Sequence, residues 1–231
     1  MVQLDSTSGS NVTFTTQTTT FSHTANVLVI LIRQSNGGGG SLDNTPTENG
    51  VNMTLLGTGR ANTMDVWCLV VSGAETSITV DSGVSAGYHP CNIVFSLTGF
   101  NSTTPTTGAQ GTSSGTQSLS ITGNTNQDWI LSMATANGDN YGSNITYSDG
   151  PGQTRINYVA TNTTAGENTF YQATVASYIV GSSATVTETA SHGTYFGMVG
   201  VAVVNAAAAP TRLGSPVKNV MIEDDSGVMI L

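Results

Sequence analysis

Ala25-Asn-Val-Leu-Val-Ile-Leu31 and, roughly a hundred residues on, Gln127-Asp-Trp-Ile-Leu-Ser-Met133 are the stretches that decide how this chain folds. Each is a short run of aliphatic, β-branched and aromatic side chains bounded by polar turn residues, the mark of a strand. Similar runs recur at Asn11–Thr18, Ala25–Arg33, Val51–Gly57, Met64–Ser72, Thr76–Asp81 and Asn92–Phe100. A second set lies at Gln117–Thr122, Gln127–Thr135, Arg155–Thr161, Phe170–Val180, Ala184–Thr189 and Tyr195–Asn205. Turns rich in Gly, Ser and Asn, such as Asn36–Ser41, Asn137–Gly142 and Asp149–Gly152, separate them. No segment carries a capped stripe of helical period, so helix is expected to be scarce. The expected fold is all-β, a jelly-roll-like two-sheet antiparallel β-sandwich of about 10–12 strands.

The two sets resemble one another. Val51-Asn-Met-Thr-Leu-Leu56 answers to Gln153-Thr-Arg-Ile-Asn-Tyr158, Ser77-Ile-Thr-Val80 to Ala184-Thr-Val-Thr187, and Asn92–Thr98 to Gly197–Val203. An internal pseudo-repeat follows, with halves at about 1–100 and 117–205 and a polar connection over 101–116. Each half could close its own small sandwich, or the halves could interleave into one two-sheet core. The second buries more surface per residue, so 1–205 is expected to be one domain.

Charge is almost missing. The 231 residues hold 5 basic and 14 acidic side chains, for a net charge of −9, and Lys218 is the only lysine. An apolar content of 38% still supports a core, so the chain is not of the disordered class. Too few cations are present to neutralise phosphates, which excludes nucleic acid and disfavours anionic membranes as partners. The stretch Met1–Ser8 has no basic start and no apolar segment of export length, and Val27–Ile32 is far too short to span a bilayer. The expectation is that the protein either stays in the cytosol where it is made or leaves by a route other than general export, assembly into a virus particle being one such route.

Catalytic and metal signatures are thin. His23, His89 and His192 are scattered, and no Gly-x-Ser-x-Gly elbow accompanies them. Asp43, Glu48, Glu75, Asp81, Asp139 and Asp149 sit near turns and are expected to be solubilising loop residues. Asn137–Asn140 and Glu223–Asp225 lack the spacing of a calcium loop, and Gly37–Gly40 does not stand between a strand and a helix as a phosphate cradle does. Cys68 and Cys91 lie in apolar runs and are expected to be buried thiols; Trp67 and Trp129 are expected in the core. The sequons at Asn11, Asn52, Asn101, Asn144 and Asn162 occur at the frequency chance gives. No catalytic residue, cofactor or metal is expected, and the chain is read as a non-enzyme.

Past Asn205 the chain changes character. A spacer, Ala206–Pro216, leads to Val217-Lys-Asn-Val-Met-Ile222, a turn at Glu223–Gly227, and the apolar end Val228-Met-Ile-Leu231. Four consecutive apolar residues at a terminus call for cover. Residues 206–231 therefore read as linker plus arm, with Val217, Val220, Ile222, Val228, Ile230 and Leu231 meeting either this sandwich or a neighbouring subunit.

Phe21–Ile32, Gly50–Gly57, Val66–Gly73, Ser77–Val80, Asn92–Asn101, Asp128–Ala134 and Gly197–Val204 together resemble a β-sandwich pattern of virion surface proteins of tailed bacteriophages. The resemblance lies in alternation and Gly placement and spans most of residues 20–205. It implies a jelly-roll-like fold used for display or cementing on the capsid exterior, with no catalytic residues to carry over. The implied partners are the major capsid protein or other virion subunits and further copies of this chain, a trimer being favoured. A carbohydrate-binding or receptor-binding domain of a tail fibre or surface protein is the alternative.

Overall fold

The computed structural model describes residues 1–5, 11–34, 44–60, 64–82, 91–101, 106–112, 115–139, 143–165, 168–193, 195–206, 222–224 and 227–229. The first half contributes β1 (Gln3–Leu4), β2 (Asn11–Phe14), β3 (Thr18–His23), β4 (Val27–Gln34), β5 (Thr47–Glu48), β6 (Val51–Asn52), β7 (Thr54–Arg60), β8 (Met64–Val71), β9 (Glu75–Asp81) and β10 (Asn92–Thr98). The second contributes β11 (Thr106–Thr112), β12 (Thr116–Thr122), β13 (Trp129–Asp139), β14 (Tyr147–Asp149), β15 (Thr154–Ala165), β16 (Asn168–Val180), β17 (Ser183–Ala190) and β18 (Tyr195–Val203). Two short strands follow in the arm, β19 (Ile222–Asp224) and β20 (Gly227–Met229). The all-β, antiparallel sandwich class expected from the sequence is what the chain forms.

Its sheets are organised half by half. The first half closes a large sheet in the order β1-β10-β4-β8-β7, with β2 also on β10, and a small sheet β3-β9-β5-β6. The second closes a large sheet β11-β18-β13-β16-β15 and a small sheet β12-β17-β14. Setting β2 against β11, β3 against β12, β4 against β13 and β5 against β14, then β7 through β10 against β15 through β18, superposes the two orders. The order in each half is compatible with a jelly roll. Register agrees as well: Val27 lies opposite Val71 where Trp129 lies opposite Val180, and Val29 opposite Ser96 where Leu131 lies opposite Val201.

Two expectations are thereby corrected. The halves do not interleave into one pair of sheets; each closes its own pair, and the described strands number twenty. The polar connection over 101–116 also contains a strand, since Thr106–Thr112 pairs with β18. Its Ser, Thr and Gly composition hid the strand because an edge position asks for backbone hydrogen bonds more than for apolar side chains.

The sheets stack in four layers: small, large, large, small. Parity along the strands sets this order. On β4, Val27, Val29 and Leu31 face the first small sheet with Phe21 and Val80, while Leu28, Ile30 and Ile32 face the other half. On β13, Trp129, Leu131 and Met133 face the first half, while Ile130, Ala134 and Ala136 face β12 and β17 through Ile121 and Val186. A strand covered on both faces loses its polar-out positions, so all eight residues of β4 are buried. The outer strands keep their alternation, with Gln117 and Ile121 of β12 buried between exposed Thr116, Ser118, Ser120 and Thr122.

Contacts between the halves are reciprocal. β2 meets β15 as β11 meets β7, and β10 meets β16 as β18 meets β8. That exchange of equivalent partners is the signature of a two-fold-like, isologous interface, here within one chain. Asn11 Nδ2 donates to the Ile156 carbonyl at 2.8 Å across it. At Gly59 the halves come so close that a β-carbon would lie 2.7 Å from the Met198 nitrogen.

β19 and β20 pair with each other, Ile222 opposite Met229 and Glu223 opposite Val228, and with no other strand among the described residues. Val217, Val220, Ile230 and Leu231 of the arm lie outside the described residues, as do Asp43, His89 and the Gly37–Gly40 loop.

Candidate functional site

A polar cluster lies between the two sheets of the second half. β17 turns Val186, Glu188 and Ala190 inward, so its parity carries a carboxyl into an apolar layer. Opposite, Ser132 of β13 and Ser177 of β16 are cross-strand partners in the large sheet and both are buried. Glu188 Oε1 accepts from Ser177 Oγ at 2.6 Å and from Ser132 Oγ at 2.9 Å. A third donor, Gln153 Nε2, lies 3.0 Å from the same oxygen and 2.7 Å from Ser177 Oγ.

Gln153 is delivered by the turn that carries the chain from β14 to β15. Gly150 N–H donates to the Thr187 carbonyl, Gln153 N–H donates to the Gly150 carbonyl, and Gly152 takes a φ of 75°. A β-carbon at residue 150 would lie 2.5 Å from Gln153 Oε1, so only glycine leaves the side chain its place. Thr187 N–H donates to that Oε1 at 2.6 Å, which fixes the amide's orientation: a backbone donor must meet the oxygen, so the nitrogen faces Ser177 and Glu188.

Glu188 is completely buried, and its Oε2 has no hydrogen-bond partner. Burial pushes its carboxyl up to about 7; the charge of Asp149, its partner across the β14–β17 ladder, adds to the rise, and the two serine hydroxyls oppose it. Asp149 is itself held by Arg155, with Nε 2.9 Å from Oδ2 and Nη2 2.9 Å from Oδ1. The Tyr147 hydroxyl, also buried without a partner, is driven well above its ordinary range by burial and by the Glu188 charge.

The first half buries charge differently. His23 Nε2 lies 3.0 Å from Glu48 Oε1, both side chains inside the small-sheet layer, and His23 Nδ1 donates to the Thr24 carbonyl at 2.7 Å. Burial raises the Glu48 carboxyl against the pull of His23. At the end of β4, the fully buried Arg33 reaches Asp65 through Nε at 2.6 Å and Nη2 at 2.9 Å, and its Nη1 donates to the carbonyls of Asn44 and Ser82. Its guanidinium stands 5.0 Å from the Trp67 ring centroid. Asp128 accepts from the Asn124, Thr125 and Asn205 N–H groups and the Thr125 hydroxyl; burial acts to raise it, but these donors together hold it below the ordinary aspartate range.

Several residues singled out in the sequence change role here. Glu48, expected as a solubilising loop residue, is buried in β5 because its strand parity points it at His23. Asp149 does edge a turn, but it is tied into the Glu188 cluster. Trp129 is buried, stacked on Tyr178 with ring centroids 3.7 Å apart; Trp67 is half-buried beneath Arg33. Cys68 and Cys91 are free buried thiols, pushed up to about 11 and about 12 by burial. His192 bridges Ser191 Oγ and the Ser143 carbonyl at the surface of the second half, and is not brought to His23. Glu188, Ser177 and Gln153 escaped the sequence reading. The available signal was Glu188 itself, an acid at the inward phase of Ala184-Thr-Val-Thr-Glu188.

No protein-family model matches the chain, and neither does any curated protein or solved structure.

Proposed function

We propose that this protein is a structural subunit of a phage particle, a capsid decoration or cement protein that stabilises the shell by burying surface across subunit boundaries. The observation that carries the reading is the outer face of the second small sheet. There Thr116 pairs with Thr189, Ser118 with Thr187 and Ser120 with Thr185, at 2.9, 2.7 and 3.1 Å, in an uncharged ladder of hydroxyls. Such a face stays hydrated at any salt or pH, as a protein crowded on a particle requires. The four-layer core and the inward use of Arg33, Asp65 and Glu188 fit an inert scaffold. A glycan-binding role gains less support, because the two tryptophan rings are engaged with Tyr178 and Arg33.

In this reading the arm beyond residue 206 reaches a neighbouring subunit or the major capsid protein. Mass spectrometry of purified particles should find the chain at a fixed ratio to the capsid protein. A chain truncated after Ala206 should fold but sediment without capsids and lose its oligomeric state. Absence from particles refutes the virion role; unchanged sedimentation and assembly refute the role of the arm.

A further inference from the structure

We propose that Ser177 and Gln153 become joined by an intramolecular ester bond that the folded chain forms by itself, with Glu188 as the proton carrier. The nucleophile, the electrophile, the base and an oxyanion donor already stand in one closed cluster. Ser177 Oγ donates to Glu188 Oε1 at 2.6 Å and lies 2.7 Å from Gln153 Nε2, one bond from the amide carbon it would attack. The Gln153 oxygen accepts the Thr187 backbone N–H at 2.6 Å, a donor placed where negative charge develops on attack. The amide nitrogen is 3.0 Å from Glu188 Oε1, within reach of the proton it needs in order to leave.

The step balances without a co-reactant. Ionised Glu188 takes the hydroxyl proton of Ser177 as Oγ adds to Gln153 Cδ. The tetrahedral intermediate collapses, Glu188 passes that proton to the departing nitrogen, and ammonia leaves. One C–N bond is exchanged for one C–O bond, nothing is oxidised or reduced, and Glu188 returns to its ionised form. Ser177 and Glu188 are buried and Gln153 is half-buried against them, which limits the access of water to the product, the condition for an ester to persist.

Gln34 and Thr174, an amide and a hydroxyl that are both buried, show what an unpoised pair looks like. Thr174 Oγ1 lies 3.2 Å from the oxygen of Gln34, not its nitrogen, and its shorter bond runs to the Cys91 carbonyl. At Gln153 the glycine turn and the Thr187 N–H impose the opposite orientation, and a carboxyl is supplied as well. The ester would bind β16 of the large sheet to the turn leaving the small sheet, clamping the two layers of the second half.

The test is intact mass spectrometry of the full chain, kept at pH 8 after folding. The wild-type chain should be lighter than its encoded mass by one ammonia, about 17 Da. Peptide mapping should place the loss in two segments joined through Gln153 and Ser177, and mild alkali should part them with uptake of one water. Glu188→Gln, Gln153→Glu and Ser177→Ala should each retain full mass, and so should wild-type chain held unfolded in urea. In freshly refolded chain the loss should be faster at pH 8 than at pH 5. Glu188 is then ionised, with Asp149 on β14, Arg155 on β15 and the Tyr147 hydroxyl the titratable or charged groups beside it. A folded wild-type chain at its full encoded mass overturns the proposal whatever the variants do. So does an ammonia loss that maps to an asparagine.

Discussion

Replacing Asp65 by Ala would take the carboxylate acceptors away from Nε and Nη2 of the fully buried Arg33 guanidinium. Its Nη1 would keep the Asn44 and Ser82 carbonyls, so the charge would stay in place and the loss would be local. Two hydrogen bonds between charged partners, at about 1.5–3 kcal/mol each, give a cost of about 3–6 kcal/mol. Breaking one side of a buried ion pair gives about 3–5 kcal/mol by a separate route, and the two agree. For a chain of this size that is a fall in Tm of roughly 6–20 °C. The pair itself is worth far less than this, because burial raises the Asp65 carboxyl even with Arg33 beside it. Arg33→Met combined with Asp65→Leu should therefore recover most of what Asp65→Ala loses. Denaturant and thermal melts of the two variants, read against wild type, decide it. Asp65→Ala within about 1 kcal/mol of wild type, or a double variant no better than the single, would refute the reasoning.

Three further expectations follow from named contacts. Glu188→Gln, measured in a Ser177→Ala chain where no ester can form, should be more stable than its parent at pH 8 and equal to it near pH 4.5. The folded carboxyl is raised from 4.5 to about 7, so the folded state holds the extra proton and stability falls as pH climbs through that window, by about 3 kcal/mol. Asp128 runs the other way: its folded pKa is lowered, so its contribution is present above 3.8 and is lost as pH falls below that, and Asp128→Ala should flatten the acid limb of the stability curve. Gly59→Val should cost about 1–3 kcal/mol by forcing β7 off β18 at Met198, visible as a lowered denaturation midpoint.

The positions of the long apolar strands, scarcity of helix, burial of Trp129 and free thiols at Cys68 and Cys91 were legible in the sequence, since each rests on local pattern. The repeat was legible too, at Ala25–Leu31 against Gln127–Met133, where strands covered on both faces leave long apolar runs. Sheet membership was not. β7 and β15 end up beside β8 and β16 through pairings that any alternating strand satisfies equally well, so the chain could be read as interleaved. Thr106–Thr112 was missed because an edge strand of threonine and glycine has the composition of a loop. The Glu188 cluster was missed because Ser132, Ser177 and Gln153 look like three more polar residues among many, and only the stacking of two sheets brings them to one carboxyl.

A repeat with reciprocal contacts behaves as a dimer whose subunits cannot part, and that freedom from dissociation lets the halves diverge inside. At equivalent places the first half holds Ser96, bonded to Asp5, and the second Val201; the first small-sheet layer holds His23 with Glu48, the second Glu188 with two serines and Gln153. In a two-chain homodimer each such change would strike both copies at once and would have to suit both layers together. Fusion removes that constraint: the interface cluster of Leu28, Ile30 and Phe95 with Leu131, Met133 and Val199 keeps its apolar character, while the outer layers specialise. Chemistry in the second half alone, as the Ser177–Gln153 ester would be, is therefore what this architecture permits, and a symmetric pair of identical sandwiches would not.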